Sequence, residues 1–223
     1  QRFWVAMVQS VGLENSQETN QMINAFLGTP QQAHAGSRHT AVVNVISLFN
    51  RLSEELADPE KLKSKDELLE RLYRMYAYYI NSLKSNPVIH IDLSLLQGDA
   101  LRLAEKSKNN RFKHVIIDEY QDTNYVQERL VFALARFNKN LCVVGDDDQA
   151  LYRFRGATVE NFVDFPDRCQ KYYSVTPEKI DLHTNYRSLK NIVDVSQSFM
   201  QKTNWHENGK AYRIVKNVNA HRT

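Results

Sequence analysis

A chain of 223 residues, 42% hydrophobic and 25% charged, can bury a real core and does not have the composition of a disordered segment. Its formal net charge of +3 permits a nucleic-acid partner without demanding one. Two cysteines, Cys142 and Cys169, are too few for a disulfide framework or a cysteine zinc site, which fits a reducing cytosol and a cytoplasmic location. With no run of about 18 apolar residues, no membrane span is expected, and the opening QRFWVAMVQSVGLENSQETNQ does not read as a secretory signal.

The stretch up to residue 112 reads as helical with polar connectors. Residues 15–40 are rich in Gln, Asn, Ser, Thr, Gly and His and read as loop-heavy. From Thr40 to Leu56 the apolar positions Val43, Val45, Ile46, Leu48, Phe49 and Leu52 suit a helix. Ser64-Lys-Asp-Glu67 has the form of a capping box. It opens a stripe of Leu68, Leu69, Leu72, Met75, Tyr76, Tyr79, Ile80 and Leu83 at helical spacing, and core packing is favoured over base stacking for its tyrosines.

The pattern changes after Lys113. His114–Asp118 and Leu141–Gly145 are short apolar runs, typical of strands buried on both faces. Between them Tyr125–Phe137 reads as a helix capped by Thr123 or Asn124. Lys179–His183 is a third strand candidate, with a helix after it from about Ser188 to Lys202. Strand and helix in alternation predict an α/β fold with a parallel sheet. The tail, Thr203–Thr223, is polar and weakly patterned and is assigned no role.

Glycine usage excludes two nucleotide loops. The sole Gly-Lys pair, Gly209-Lys210, has Asn204 where the Walker loop G-x-x-x-x-G-K-[ST] needs its first glycine, and Ala211 comes next. No G-x-G-x-x-G occurs either.

Three clusters carry chemistry. Asp118 and Glu119 sit at a strand's carboxyl end, where open α/β sheets bind ligands. Neighbouring strand residues point to opposite sides, so one carboxylate can face a Mg²⁺ ion while the other orients water. The second cluster runs Gly145-Asp146-Asp147-Asp148-Gln149-Ala150-Leu151-Tyr152-Arg153-Phe154-Arg155-Gly156. An EF-hand counted from Asp146 fails, because Leu151 and Ala157 stand where Gly and Glu are required. Aromatic side chains interleaved with arginines suit single-stranded nucleic acid, rings stacking on bases and guanidinium groups meeting phosphates. In the third cluster, Thr184-Asn185-Tyr186-Arg187-Ser188, an arginine can stabilise phosphoryl charge and a tyrosine can stack on a purine, while Asn185 or Ser188 can cap the next helix.

In this order the clusters resemble the UvrD/Rep/PcrA group of superfamily 1 DNA helicases. DEYQDTN looks like their motif II, VVGDDDQALYRFRGA like motif III and NYRS like motif IV, with IHIDLSLLQ (Ile89–Gln97) similar to the segment before motif II. The resemblance implies an incomplete P-loop/RecA-like parallel sheet with a mainly helical accessory subdomain. The expected division is an accessory region at 1–112, part of a first motor domain at 113–178 and the start of a second at 179–223. It implies ATP and Mg²⁺ as cofactors, single-stranded DNA and duplex junctions as partners, 3′→5′ translocation with unwinding, and service in DNA repair. By resemblance Asp118 holds Mg²⁺, Glu119 activates water, Gln149 senses the γ-phosphate, Tyr186 lies near adenine and Arg187 acts as an arginine finger. Tyr152 and Phe154 stack on DNA bases with Arg155 in support. Phe154 departs from the tryptophan common there and offers a smaller stacking face.

Members of that group also carry the Walker loop and a later arginine motif, neither visible here. The chain is therefore expected to be an internal piece of a helicase, hydrolysing ATP negligibly alone. Two rivals stand beside this reading. A metal-dependent nuclease is suggested by Pro166-Asp167 with Glu178-Lys179, but the spacing is wrong. The other is a non-catalytic helicase-like module that binds DNA or protein.

Overall fold

Helical stripes succeeded by short apolar runs fold into a mixed α/β structure with short parallel sheets. The structure, a computed structural model, describes residues 2–13, 17–19, 38–85, 92–109, 112–150, 159–202, 206–207, 210–211 and 213–222. Gln1–Leu103 and Ala104–Thr223 form two compact units.

The first unit is helical, with α1 (Arg2–Gln9), α2 (Arg38–Glu54), α3 (Glu67–Ser85) and most of α4 (Leu93–Lys106). Met7, Val8 and Val11 from the first segment meet Val45 and Phe49 of α2 and Leu72, Met75, Tyr76 and Ile80 of α3 in one core. α1 is stopped by Gly12, whose φ of +74° is readily adopted only without a Cβ and whose N–H bonds the Gln9 carbonyl at 3.0 Å. Asp66, rather than Ser64, caps α3. Its Oδ1 accepts the Leu69 N–H at 2.9 Å, and Glu70 Oε2 reaches back to the Ser64 N–H at 2.9 Å. Glu67 is already helical and pairs with Arg71 at 2.5 Å, so it is not the residue that closes the box.

The tyrosine stripe is packing surface. Tyr76 is buried with its hydroxyl 3.0 Å from Ser53 Oγ, and Tyr79 donates to Asp92 Oδ2 at 2.7 Å. Phe49 packs on both rings at 5.4 and 5.2 Å.

In the second unit β1 (Val115–Ile117) and β2 (Leu141–Val143) pair in parallel, Val115 opposite Leu141 and Ile117 opposite Val143. The connection carries α5 (Tyr125–Ala135). Asn124 caps it in a full capping box, accepting the Gln127 N–H while the Gln127 side chain accepts the Asn124 N–H. A short α6 (Val159–Val163) leads into α7 (Phe165–Tyr173). Phe132 and Ala135 of α5 pack with Cys169 and Tyr173 of α7, and Val115 and Leu141 rest against them.

That packing covers one sheet face only. Ile116 is 70% exposed and Cys142 is exposed too, so the strands are not buried on both faces as their apolar runs predicted. The third strand also departs from its expected place. Lys179–His183 lies outside any strand, with Ile180 and Leu182 exposed, and β3 is Thr184–Leu189 instead. Its register is set by β6 (Asn219–Arg222), parallel to it with Thr184 opposite Asn219, because the backbone ladder and not apolar alternation decides the pairing. α8 (Lys190–Lys202) comes next, and β4 (His206–Glu207) pairs antiparallel with β5 (Lys210–Ala211).

Candidate functional site

Parallel strands end on the same side, so the loop leaving β1 and the loop leaving β2 are neighbours. Beyond the strands the ladder continues, Val144 N–H to Ile117 at 2.8 Å and Tyr120 N–H to Val144 at 2.9 Å. Asp118, Glu119 and the Gly145–Gln149 segment therefore share one edge. Asp118 and Glu119 lie past β1, so pleat alternation does not set their directions. A left-handed backbone does: Glu119 has φ +49° and ψ +43°, a conformation costing a non-glycine residue about 1–2 kcal/mol. Strain of this kind collects at functional positions.

Gln121 holds the two segments together. It is 1% exposed, donates from Nε2 to Glu119 Oε2 at 2.7 Å and accepts the Asp146 N–H on Oε1 at 3.1 Å. Gly145 makes room for it, since a Cβ there would stand 2.6 Å from Gln121 Oε1 and 2.9 Å from the Phe162 ring. The base beneath is buried. Tyr120 is fully buried, Thr123 Oγ1 donates to the Tyr120 carbonyl at 2.7 Å, and Asn161 of α6 donates to the Thr123 carbonyl at 3.2 Å. Glu128 on α5, also fully buried, meets the Tyr120 hydroxyl at 3.4 Å and Arg168 of α7 at 3.6 Å. Burial pushes its carboxyl upward and outweighs the Arg168 charge. Asp122 is also pushed upward, by burial and then by the neighbouring Glu119 charge, and its Oδ1 has no hydrogen-bond partner among the described residues.

The acids of the second loop are spent on cations. Lys216 Nζ bonds Asp146 Oδ1 and, at 2.6 Å, Asp147 Oδ1; Arg213 grips both oxygens of Asp148 at 2.6 and 3.1 Å. The Ile214 N–H adds a bond to Asp147 Oδ2 at 2.7 Å. Burial works against the Asp146 carboxylate, but the bonds from Lys216 and Gln149 prevail and hold its pKa below the usual range. Gln149 is exposed on the short 3-10 turn Asp147–Gln149 and donates to Asp146 Oδ2 at 2.9 Å.

A hard divalent cation suits Asp118 better than the acidic triplet. The Asp118 carboxylate is exposed, one oxygen takes the Glu119 N–H at 2.9 Å, and the other has no partner among the described residues. Mg²⁺ accepts such a lone carboxylate and keeps its waters. Ligand atoms of Asp146, Asp147 and Asp148 lie within 4.8 Å of one another, but Lys216 and Arg213 already neutralise them.

Tyr186 and Arg187 lie on β3 itself rather than at a strand-to-helix junction. Tyr186 is 68% exposed and rests 4.9 Å from the His221 ring. Asn185 Oδ1 accepts the N–H groups of Arg187 and Ser188, each at 2.9 Å, capping the irregular part of β3 rather than the first turn of α8. Among the described residues no hydrogen bond or ion pair joins Arg187 to Asp118, Glu119 or Gln149. The link between the second and third clusters is indirect: the 213–222 segment binds the acidic loop through Arg213 and Lys216, then pairs β6 with β3. That segment, assigned no role from sequence, is thus a structural bridge, and its paired cations three residues apart were the available signal. Sequence reasoning also missed Gln121, one polar residue within a loop of polar residues. Tyr152, Phe154, Arg155 and residues 89–91 lie outside the described residues.

Comparison with known proteins covers most of the chain. The UvrD/REP helicase N-terminal domain family matches residues 5–170. The chain is 33% identical over 162 residues to an ATP-dependent DNA helicase PcrA of Staphylococcus epidermidis, covering 70% of the chain and 22% of the relative. With an ATP-dependent DNA helicase UvrD1 of Mycobacterium tuberculosis it shares 31% identity over 227 residues, 91% of the chain and 28% of the relative. A PcrA of Leuconostoc citreum is 32% identical over 184 residues, 77% of the chain and 24% of the relative. The chain thus spans roughly a quarter of the length of these relatives.

Proposed function

This chain belongs to the UvrD/REP helicase N-terminal domain family, and from that premise we propose that it is part of an ATP-dependent DNA helicase, contributing motifs II, III and IV. Residues 1–112 act as the accessory region, 113–178 as part of the first motor domain and 179–223 as the start of the second. The observation that carries this reading is the shared edge of β1 and β2, where Gln121 joins the Glu119 carboxylate to the Asp146–Gln149 turn.

In this reading Asp118 holds Mg²⁺, which when bound supplies positive charge against the phosphate oxygens. Glu119 orients and deprotonates the attacking water, with its carboxylate directed by the left-handed backbone and by Gln121. Gln149 senses the γ-phosphate; its side chain is exposed and its bond to Asp146 is exchangeable for a ligand. Tyr186 offers its exposed ring to adenine, and Arg187 stabilises charge as phosphoryl transfer proceeds. Tyr152 and Phe154 stack on single-stranded DNA with Arg155 in support, at about 1–3 kcal/mol per stacked base. Loss of the γ-phosphate at Gln149 then disturbs stacking a few residues away, which is the basis of 3′→5′ stepping and of unwinding at duplex junctions.

Because the sequence contains no G-x-x-x-x-G-K-[ST] loop to grip phosphates, DNA or protein binding without turnover is the second reading for this polypeptide alone. The decisive experiment uses the full-length helicase containing this chain. Glu119→Gln abolishes DNA-stimulated ATP hydrolysis and leaves single-strand binding intact. Retained hydrolysis refutes the assignment of Glu119. The isolated 223-residue chain shows negligible ATP hydrolysis with single-stranded DNA present; turnover by it contradicts the fragment reading.

A further inference from the structure

A glutamine amide donates and accepts at once, which neither a carboxylate nor a hydrocarbon side chain can do. Gln121 uses both functions in a buried position, Nε2 on Glu119 at 2.7 Å and Oε1 on the Asp146 N–H at 3.1 Å. Asp146 in turn accepts from Gln149 Nε2 at 2.9 Å. A path thus runs from Glu119 through the Gln121 amide to the Asp146 N–H, and from the Asp146 carboxylate to Gln149. The backbone that bears Gln121 cannot slide, because Tyr120 is fully buried and Asn161, itself 1% exposed, holds the Thr123 carbonyl at 3.2 Å. The amide cannot swing toward Gly145 either, where Phe162 closes the space.

Resting on the reading that Glu119 activates water, we infer that Gln121 is a positioning residue: it sets the direction of the Glu119 carboxylate and ties it to the turn bearing Gln149, so that a displacement of that turn re-aims the base. The bridge explains two features at once. Position 145 is a glycine although its φ is not in the left-handed region, and a buried polar side chain sits between two acidic loops. Buried amide atoms need partners, and the two that Gln121 has belong one to each acidic loop.

The test is made in the full-length helicase with Gln121→Met, which keeps the length and removes both bonds, and Gln121→Glu, which keeps the acceptor and sets a like charge against Glu119. With the base misdirected by about an ångström, kcat for DNA-stimulated ATP hydrolysis falls on the order of 100-fold while KM for ATP stays within about twofold. Gln121→Glu does not rescue. In Gln149→Ala protein the further effect of Gln121→Met is smaller than in the parent, since the path is already cut. A folded Gln121→Met protein with kcat within about threefold of the parent overturns the inference, as does a loss of kcat that merely tracks loss of folded protein. Should Gln121→Met not fold, Gly145→Ala, which retains Gln121 and sets a methyl group 2.6 Å from its Oε1, carries the same expectation wherever the amide gives way. Glu119→Gln run alongside separates the two levels: if it leaves turnover intact the water-activating role fails, and if it abolishes turnover while Gln121→Met does not, the bridge alone fails.

Discussion

Gly145→Ala places a methyl group where the structure has none to spare. The φ of Gly145 is outside the left-handed region, so the backbone tolerates alanine and the cost is steric. The new Cβ meets Gln121 Oε1 at 2.6 Å and the Phe162 ring at 2.9 Å, and neither separation can persist. If the amide yields, Asp146 N–H and Glu119 lose their partner, at about 1–3 kcal/mol for a polar group left unpaired. If the ring yields, overpacking costs about 1–3 kcal/mol. Alanine narrows the unfolded ensemble and offsets about 0.4–1 kcal/mol. On either route the net expectation is a loss of about 1–2 kcal/mol, read from the urea midpoint at constant slope. In a Gln121→Ala background the competing oxygen is gone, so the same substitution should cost at least about 1 kcal/mol less. A Gly145→Ala protein as stable as its parent, or strictly additive costs in the double variant, would refute the reasoning.

Other outcomes depend on single interactions. Asn124→Ala removes the capping box of α5 and costs about 1 kcal/mol in urea unfolding, with Asn124→Ser recovering most of it. Lys216→Met strips Asp146 and Asp147 of their shared cation and costs about 1–3 kcal/mol at neutral pH, below the range for a fully buried pair because Lys216 is 19% exposed. The folded Asp146 pKa lies below its ordinary 3.8, so its contribution is present above that value and disappears as the pH falls through the folded value; the gap between parent and Lys216→Met closes there. Glu128 has the opposite sign. Its folded pKa is raised above 4.5, so the folded state holds the extra proton and stability declines as the pH rises from 4.5 through the folded value. Glu128→Gln removes that slope, and denaturant unfolding of the two proteins across this window shows it by difference; parallel pH profiles would contradict the buried, proton-binding state.

Much of the fold is legible in the sequence because its signals are local. The apolar stripe on α3 has helical periodicity, Asn124 and Gln127 form a box within four residues, and the short apolar runs at 115–117 and 141–143 flank α5 in the strand–helix–strand order of a parallel pair. The third strand lies a few residues beyond its expected place because its true partner, β6, is a polar segment with no apolar alternation to recognise. Likewise, sequence could mark Asp118, Glu119 and Gln149 as chemically apt but could not say what holds them.

What the amino-acid order determined by itself was α2, α3, α5, α8 and the strands β1 and β2, since helix caps, periodicity and strand runs act over a few residues. Only the tertiary structure decided how those loops are wired. Gln121 meets Asp146 across 25 positions and Lys216 meets it across 70. Whether a polar side chain in a loop faces water or a buried partner depends on which distant backbone packs beside it, and that is set by the parallel pairing of β1 with β2 and of β3 with β6. The same packing turned an undistinguished tail into the counter-charge of an acidic loop, because burial makes three adjacent carboxylates costly without cations beside them.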